Sequence, residues 1–97
     1  MIKIGLLGAG VFGRKILEKL KNIDSISIEW VLSSKDKWWK YGNIDWVIIA
    51  TPNEFHYEQS VFFLKNNINV FCEKPAAFTM QGVENIIRLA NQNKCKF

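Results

Sequence analysis

The sequence predicts an α/β domain, a shortened, doubly wound parallel sheet of about four strands with helices on its faces. Three observations carry that expectation. Short apolar runs alternate with longer segments of helical period. The first run ends in a glycine-rich turn that opens a helix. A later run is apolar enough for a strand covered on both faces, as in a parallel sheet. Crossovers between parallel strands are right-handed, which winds such a sheet outward from its first strand and excludes a meander.

Ile2–Leu7 is mostly apolar, with β-branched Ile2 and Ile4, and reads as the first strand until Gly8-Ala9-Gly10 breaks it. From Val11 to about Asn22, Phe12, Ile16, Leu17 and Leu20 recur at helical spacing. In Ile26–Leu32, Ile26, Ile28 and Trp30 alternate against Ser27 and Glu29, the pattern of a second strand. Asp45–Ala50 is the third and most apolar strand. Residues 54–66 form a helical segment with Tyr57, Val61 and Leu64 as its inner side and Asn53 placed as N-cap. Ile68–Cys72 is the fourth strand. Thr79 caps a last helix running to about Asn91, with Val83, Ile86, Ile87 and Ala90 as its buried stripe. Lys94–Phe97 reads as the start of a further element.

The 97 residues are expected to form one domain over 1–97, with no second domain. At 48% hydrophobic and 23% charged, with two prolines, the composition excludes a disordered tail and a collagen-like repeat. No run approaches the roughly 18 apolar residues of a membrane span, so no membrane partner is expected. The net charge of +4 comes from dispersed cations without a compact basic run, so no nucleic-acid partner is expected either. Cys72 and Cys95 have neither metal-site nor disulfide-framework spacing, and no metal is expected. Cys72, inside an apolar run, reads as a buried thiol of a reducing compartment. With an N-terminal apolar stretch too short for a secretory leader, the expectation is a cytoplasmic protein.

Gly8-Ala9-Gly10-Val11-Phe12-Gly13 matches G-x-G-x-x-G between a strand and a helix. Gly8 permits the tight turn, Gly10 lets a pyrophosphate approach the backbone, and Gly13 lets the helix pack close. Helix-start N–H groups and the helix dipole then hold the phosphates. The bare pattern also fits a tight turn with no ligand, but its place in a β-α-β unit favours dinucleotide binding. About 20 residues further on, where an acid favours NAD, the chain carries Ser33, Ser34 and Lys35 instead. Two hydroxyls and a cation suit a 2′-phosphate, so NAD(P) binding leans toward NADP, with nearby Asp36 weighing against. After the third strand come Thr51, Pro52, Asn53 and His56, at the end of the sheet where ligands of parallel sheets bind. His56 equally suits a surface or capping role. Glu73-Lys74-Pro75, after the fourth strand, reads as an active-site rim or as a surface ion pair and turn.

In this order the three segments, from Ile4-Gly-Leu-Leu-Gly-Ala-Gly-Val-Phe-Gly13 through Asp45–His56 to Val70–Pro75, resemble the N-terminal domain of the Gfo/Idh/MocA oxidoreductases. The resemblance implies a Rossmann-like fold, a nicotinamide dinucleotide, and hydride transfer at a hydroxyl-bearing carbon of a sugar, cyclitol or sugar nucleotide. It implies that Gly8, Gly10 and Gly13, with Val11 and Phe12 between them, hold the pyrophosphate. Thr51, Pro52 and Asn53 then follow the adenosine-to-nicotinamide path, with His56 near it. Glu73 and Lys74 face the nicotinamide, and Lys74 is the catalytic candidate, a cation that steadies a developing alkoxide.

Two departures stand out. The family places a helix and a further strand between the second strand and the Asp45 segment, and residues 33–45 are too few for both. In the family's strand naming the expected order is 2-1-4-5, with strand 3 deleted and strand 2 an exposed edge. Trp38, Trp39 and Tyr41 in the short segment either cover that edge or meet a partner, a second copy included. The family's second domain, which supplies the substrate pocket, is also absent from this sequence. The chain is therefore expected to be a cofactor domain that needs a partner chain for turnover, or a piece of a larger enzyme. The alternative is a non-catalytic nucleotide-binding or oligomerisation module.

Overall fold

The computed structural model describes residues 1–8, 10–72, 77 and 79–97, with Phe12 described by its backbone alone. The elements are β1 (Ile2–Leu7), α1 (Val11–Leu20), β2 (Ile26–Leu32), β3 (Trp46–Ile49), α2 (His56–Lys65), β4 (Asn69–Cys72) and α3 (Met80–Gln92), with short 3-10 turns at Trp38–Lys40 and Asn53–Phe55. All the strand pairs are parallel and the sheet runs β2-β1-β3-β4. Counted along the chain, this is the expected 2-1-4-5 order with the deleted strand passed over, and β2 is an edge.

Alternating side chains give the sheet two faces. On the first, Ile4, Leu6 and Ile48 are buried beneath Ile16, Leu17 and Leu20 of α1. On the second, Leu7, Val47, Ile49 and Val70 are buried beneath Phe63 and Leu64 of α2 and Ile86, Leu89 and Ala90 of α3. The crossover from β2 to β3 lies on the second face, where Trp38 and Ile44 join the core. Trp38 is 7% exposed and meets Phe62 edge-on at 5.3 Å and Phe63 at 5.9 Å between ring centroids. The Trp30 ring stacks on Phe63 at 6.3 Å and lies flat over Gly5, where any Cβ would overlap it. The register between β1 and β2 shifts there, between Ile4 and Gly5. Aromatic area thus covers the place where the resemblance implies a helix and strand; Trp39 and Tyr41 stay about half exposed.

Several expectations need correcting. The inner side of α2 is His56, Gln59, Ser60, Phe63 and Leu64, while Tyr57 is exposed and Val61 half-buried. Asn53 does not cap this helix: it opens the 3-10 turn after Pro52, and α2 starts at His56 behind Phe55 with no side-chain cap bond. In α3 the buried residues are Ile86, Leu89 and Ala90, while Ile87 is 51% exposed and Val83 half-buried. Cys72 is half-buried, packed against the margin of the second-face core. Thr79 does cap α3, its hydroxyl accepting from the Gly82 N–H at 3.0 Å. After α3 the chain returns alongside β4, and Val70 N–H donates to the Lys96 carbonyl at 2.9 Å. Among the described residues no helix is long and apolar enough to cross a membrane.

Candidate functional site

The carboxyl ends of β1, β2 and β3 meet around a cleft of about 510 Å³. Gly8, Gly10 and Val11 line it from the first turn, Ser33, Ser34 and Lys35 from the loop after β2, and Ala50, Thr51 and Pro52 from the end of β3. β2 and β3 flank β1 on opposite sides, so the cleft sits where the strand order reverses, the usual ligand position in open parallel sheets.

The glycine turn is shaped by close approach. Gly8 has φ +132°, which favours glycine, and its N–H donates to the Leu32 carbonyl at 2.6 Å, tying the turn to β2. A Cβ on Gly13 would overlap the Gly8 carbonyl, so the start of α1 packs directly on the turn. Gly10 is the opposite case: a Cβ there would meet nothing within 4 Å. It is also the N-cap of α1, without a side-chain cap bond and without an acid in the first turn. Among the described residues, the first N–H groups of the helix therefore lack a side-chain cap beside an open cradle, the arrangement that suits an anion. A pyrophosphate fits these residues.

The second wall is a compact loop. Lys35 N–H donates to Ser33 Oγ at 3.2 Å, so the Ser33 hydroxyl keeps its own proton to give. Ser33 N–H donates to Asp36 Oδ2 at 2.7 Å, which engages this carboxylate with the backbone. The Lys35 side chain is exposed at the cleft margin.

The third wall is held from behind. His56 Nε2 lies 2.7 Å from the Thr51 carbonyl, and a carbonyl only accepts, so Nε2 carries the proton. Thr51 Oγ1 donates to Gln59 Oε1 at 2.7 Å. His56, Gln59 and Ser60 are all fully buried, and Gln59 Nε2 and Ser60 Oγ have no hydrogen-bond partner. The structure thus brings Gly8, Gly10, Val11, Ser33, Ser34, Lys35, Thr51 and Pro52 to one cleft. It places Gly13 behind the turn, Asn53 on the exposed 3-10 turn outside the lining, and His56 inside the fold. Glu73, Lys74 and the Phe12 side chain lie outside the described residues. Gln59 is the residue the sequence pattern missed. Its only signal was three polar side chains at helical spacing, His56, Gln59 and Ser60.

Chemically, the described walls offer N–H groups, hydroxyls and one cation, a set suited to binding phosphates and ribose. Among the described residues, none lining the cleft is a carboxylate or an imidazole able to move protons.

Comparison with known proteins agrees with this geometry. Residues 23–97 match the model of an oxidoreductase family with an NAD-binding Rossmann fold, that of the Gfo/Idh/MocA proteins. An uncharacterized oxidoreductase of Streptococcus pneumoniae is 29% identical over 114 residues, a match covering all of this chain and 31% of that protein. The scyllo-inositol 2-dehydrogenase (NADP(+)) of Bacillus subtilis is 43% identical over 49 residues, which cover 50% of this chain and 15% of that enzyme. The crystal structure of an NAD-binding protein from Listeria innocua superposes with a TM-score of 0.86 at 21% identity, over 99% of this chain and 34% of that one. The matches span 34% or less of the length of these relatives.

Proposed function

This chain belongs to the Gfo/Idh/MocA oxidoreductase family as an NAD(P)-binding Rossmann domain, and from that premise we propose how its cleft works and what reaction it serves. The dinucleotide lies across the carboxyl ends of β1, β2 and β3, with its pyrophosphate on the N-terminus of α1. The open cradle at Gly10, beside helix N–H groups with no side-chain cap, is the observation that carries this reading. The adenosine ribose lies toward the loop after β2. There the Ser33 and Ser34 hydroxyls donate to a 2′-phosphate and Lys35 balances its charge, so NADP is preferred over NAD. The Asp36 carboxylate accepts from the Ser33 N–H, which fixes its position but leaves its negative charge, so Lys35 has to offset it as well as the phosphate. A relative named for NADP(+) is consistent with this preference.

When bound, the nicotinamide would supply hydride transfer at a hydroxyl-bearing carbon of a sugar, cyclitol or sugar nucleotide. Lys74 is the residue of this chain that steadies the substrate oxygen, with Glu73, its neighbour in sequence, as a cofactor-binding candidate. Asn53 and His56 support the nicotinamide half of the path, His56 through its hold on Thr51. The substrate pocket comes from polypeptide beyond these elements, in a reducing, cytoplasmic setting that suits two cysteines without disulfide-framework spacing.

Separate titrations with NADPH and NADH, followed by the fluorescence of the four tryptophans with ATP as control, test the binding. NADPH should bind more tightly. A folded protein that binds neither cofactor below about millimolar, some 4 kcal/mol of binding free energy, sinks the reading. A second reading, a nucleotide-binding module without turnover, is favoured by the lack of a proton-transfer side chain among the described cleft residues. It predicts tight NADPH binding with no oxidation of any sugar or cyclitol by this chain.

A further inference from the structure

We propose that Gln59 is a positioning residue for the cleft, fixing Thr51 so that its hydroxyl oxygen meets the ligand as a hydrogen-bond acceptor. The proposal rests on the dinucleotide reading and assigns a polarity to one wall of it.

Thr51 stands where β3 ends and the cleft wall begins, and α2 holds it at two points. His56 Nε2–H takes the carbonyl at 2.7 Å, and Gln59 Oε1 takes the hydroxyl proton at 2.7 Å. The two anchors are three residues apart on one side of the helix, so the fold fixes both the position and the rotamer of Thr51. A hydroxyl has one proton. With it committed to Gln59, only lone pairs remain for the cleft. An acceptor at this point attracts a ribose hydroxyl or a carboxamide N–H and repels phosphate oxygens. The anionic middle of the dinucleotide is thereby left to the Gly10 cradle, and a donor-bearing end is drawn to the β3 wall.

The burial of Gln59 argues independently for a task beyond packing. Its side chain is 0% exposed, yet Nε2 has no partner, and Ser60 Oγ beside it in sequence is likewise unpartnered. Buried unsatisfied donors are rare and unfavourable, and a methionine would fill similar space without one. What the amide adds over methionine is its bond to Thr51.

A double-mutant cycle on NADPH affinity tests this in the full 97-residue chain. Thr51→Val and Gln59→Met should each weaken NADPH by about 5- to 10-fold, the range of one lost hydrogen bond. The double variant should be no weaker than the worse single, because both remove one interaction. Thr51→Ser, which keeps the hydroxyl, should bind within about twofold of the parent. A residue that merely supported the fold would lower the melting temperature without this coupling in affinity. Multiplying losses, or parental affinity in folded Gln59→Met, would overturn the role of Gln59 and leave the cofactor reading intact. Failure of the parent chain to bind NADPH would overturn both. Should Gln59→Met not fold, Gln59→Asn, too short to reach Thr51, must give the same loss, and parental affinity there would equally refute the proposal.

Discussion

The two faces of the sheet are covered in different ways. One helix, α1, serves the first face, and its aliphatic side chains bury Ile4, Leu6 and Ile48. Phe71 points to that same face, paired across from Ile48 one strand further out, and is 58% exposed. The second face has two helices and an aromatic crossover, and Val47, Ile49 and Val70 are fully buried there. The contrast shows that a missing helix and strand need not leave a hole. Trp30 and Trp38 supply enough rigid area to seal the sheet next to Phe63. Where no such side chains stand among the described residues, as around Phe71, apolar surface stays open.

If this contrast is right, truncation should hurt far more on the second face. Trp38→Ala should destabilise the chain by about 3–5 kcal/mol, the usual range for a buried large aromatic. Leu17→Ala, at a half-buried site on the first face, should lose only about 1–2 kcal/mol. Urea unfolding of both variants decides the matter. Equal losses would mean that the crossover is a surface loop and not a cover.

Gly10→Ala separates packing from ligand binding on the first face, since α1 both covers the sheet and presents its N-terminus. Gly10 has φ −78° and open space around its Cα, so the variant should stay within about 1 kcal/mol of the parent in stability. Its new methyl sits where the pyrophosphate would lie, and NADPH affinity should fall more than about tenfold, or 1.4 kcal/mol. Unchanged affinity would remove the glycine turn from the binding site.

These contrasts also show which parts of the molecule its sequence could reveal. The glycine turn was legible because its chemistry is local: strand, turn and helix start lie within thirteen residues. The capping Thr79 was legible for the same reason. The inner side of α2 was not, because hydrophobic periodicity assumes that apolar side chains face inward. At His56, Gln59 and Ser60 the inward groups are polar, and their reason is Thr51, a partner that only the folded chain brings against Gln59. Asn53 has the right chemistry for a cap, but Pro52 leads into a 3-10 turn that delays the helix to His56. Ile87 and Leu89 both fit a helical stripe. The choice fell to Leu89 because α3 lies against α2 on that side.

The smallest expected effect lies at the rim of the second face. Cys95 is half-buried, packs against the same core as Trp38, and its thiol donates to the Asn93 carbonyl at 3.5 Å. Burial pushes this thiol above its ordinary value of 9.0. The folded chain therefore keeps its proton at a pH where the unfolded chain has lost it. With fewer protons bound in the unfolded state, stability must fall as pH rises from the unfolded thiol's range toward the raised folded value. Cys95→Ala removes that dependence while leaving Cys72 and every other titrating group in place. The parent should thus lose stability relative to the variant between about pH 8 and pH 10, around the ordinary thiol range. Urea midpoints at the two pH values read the difference directly. A gap that does not change with pH would mean that the aromatic face leaves Cys95 as open to water folded as unfolded, and that its cover ends short of α3.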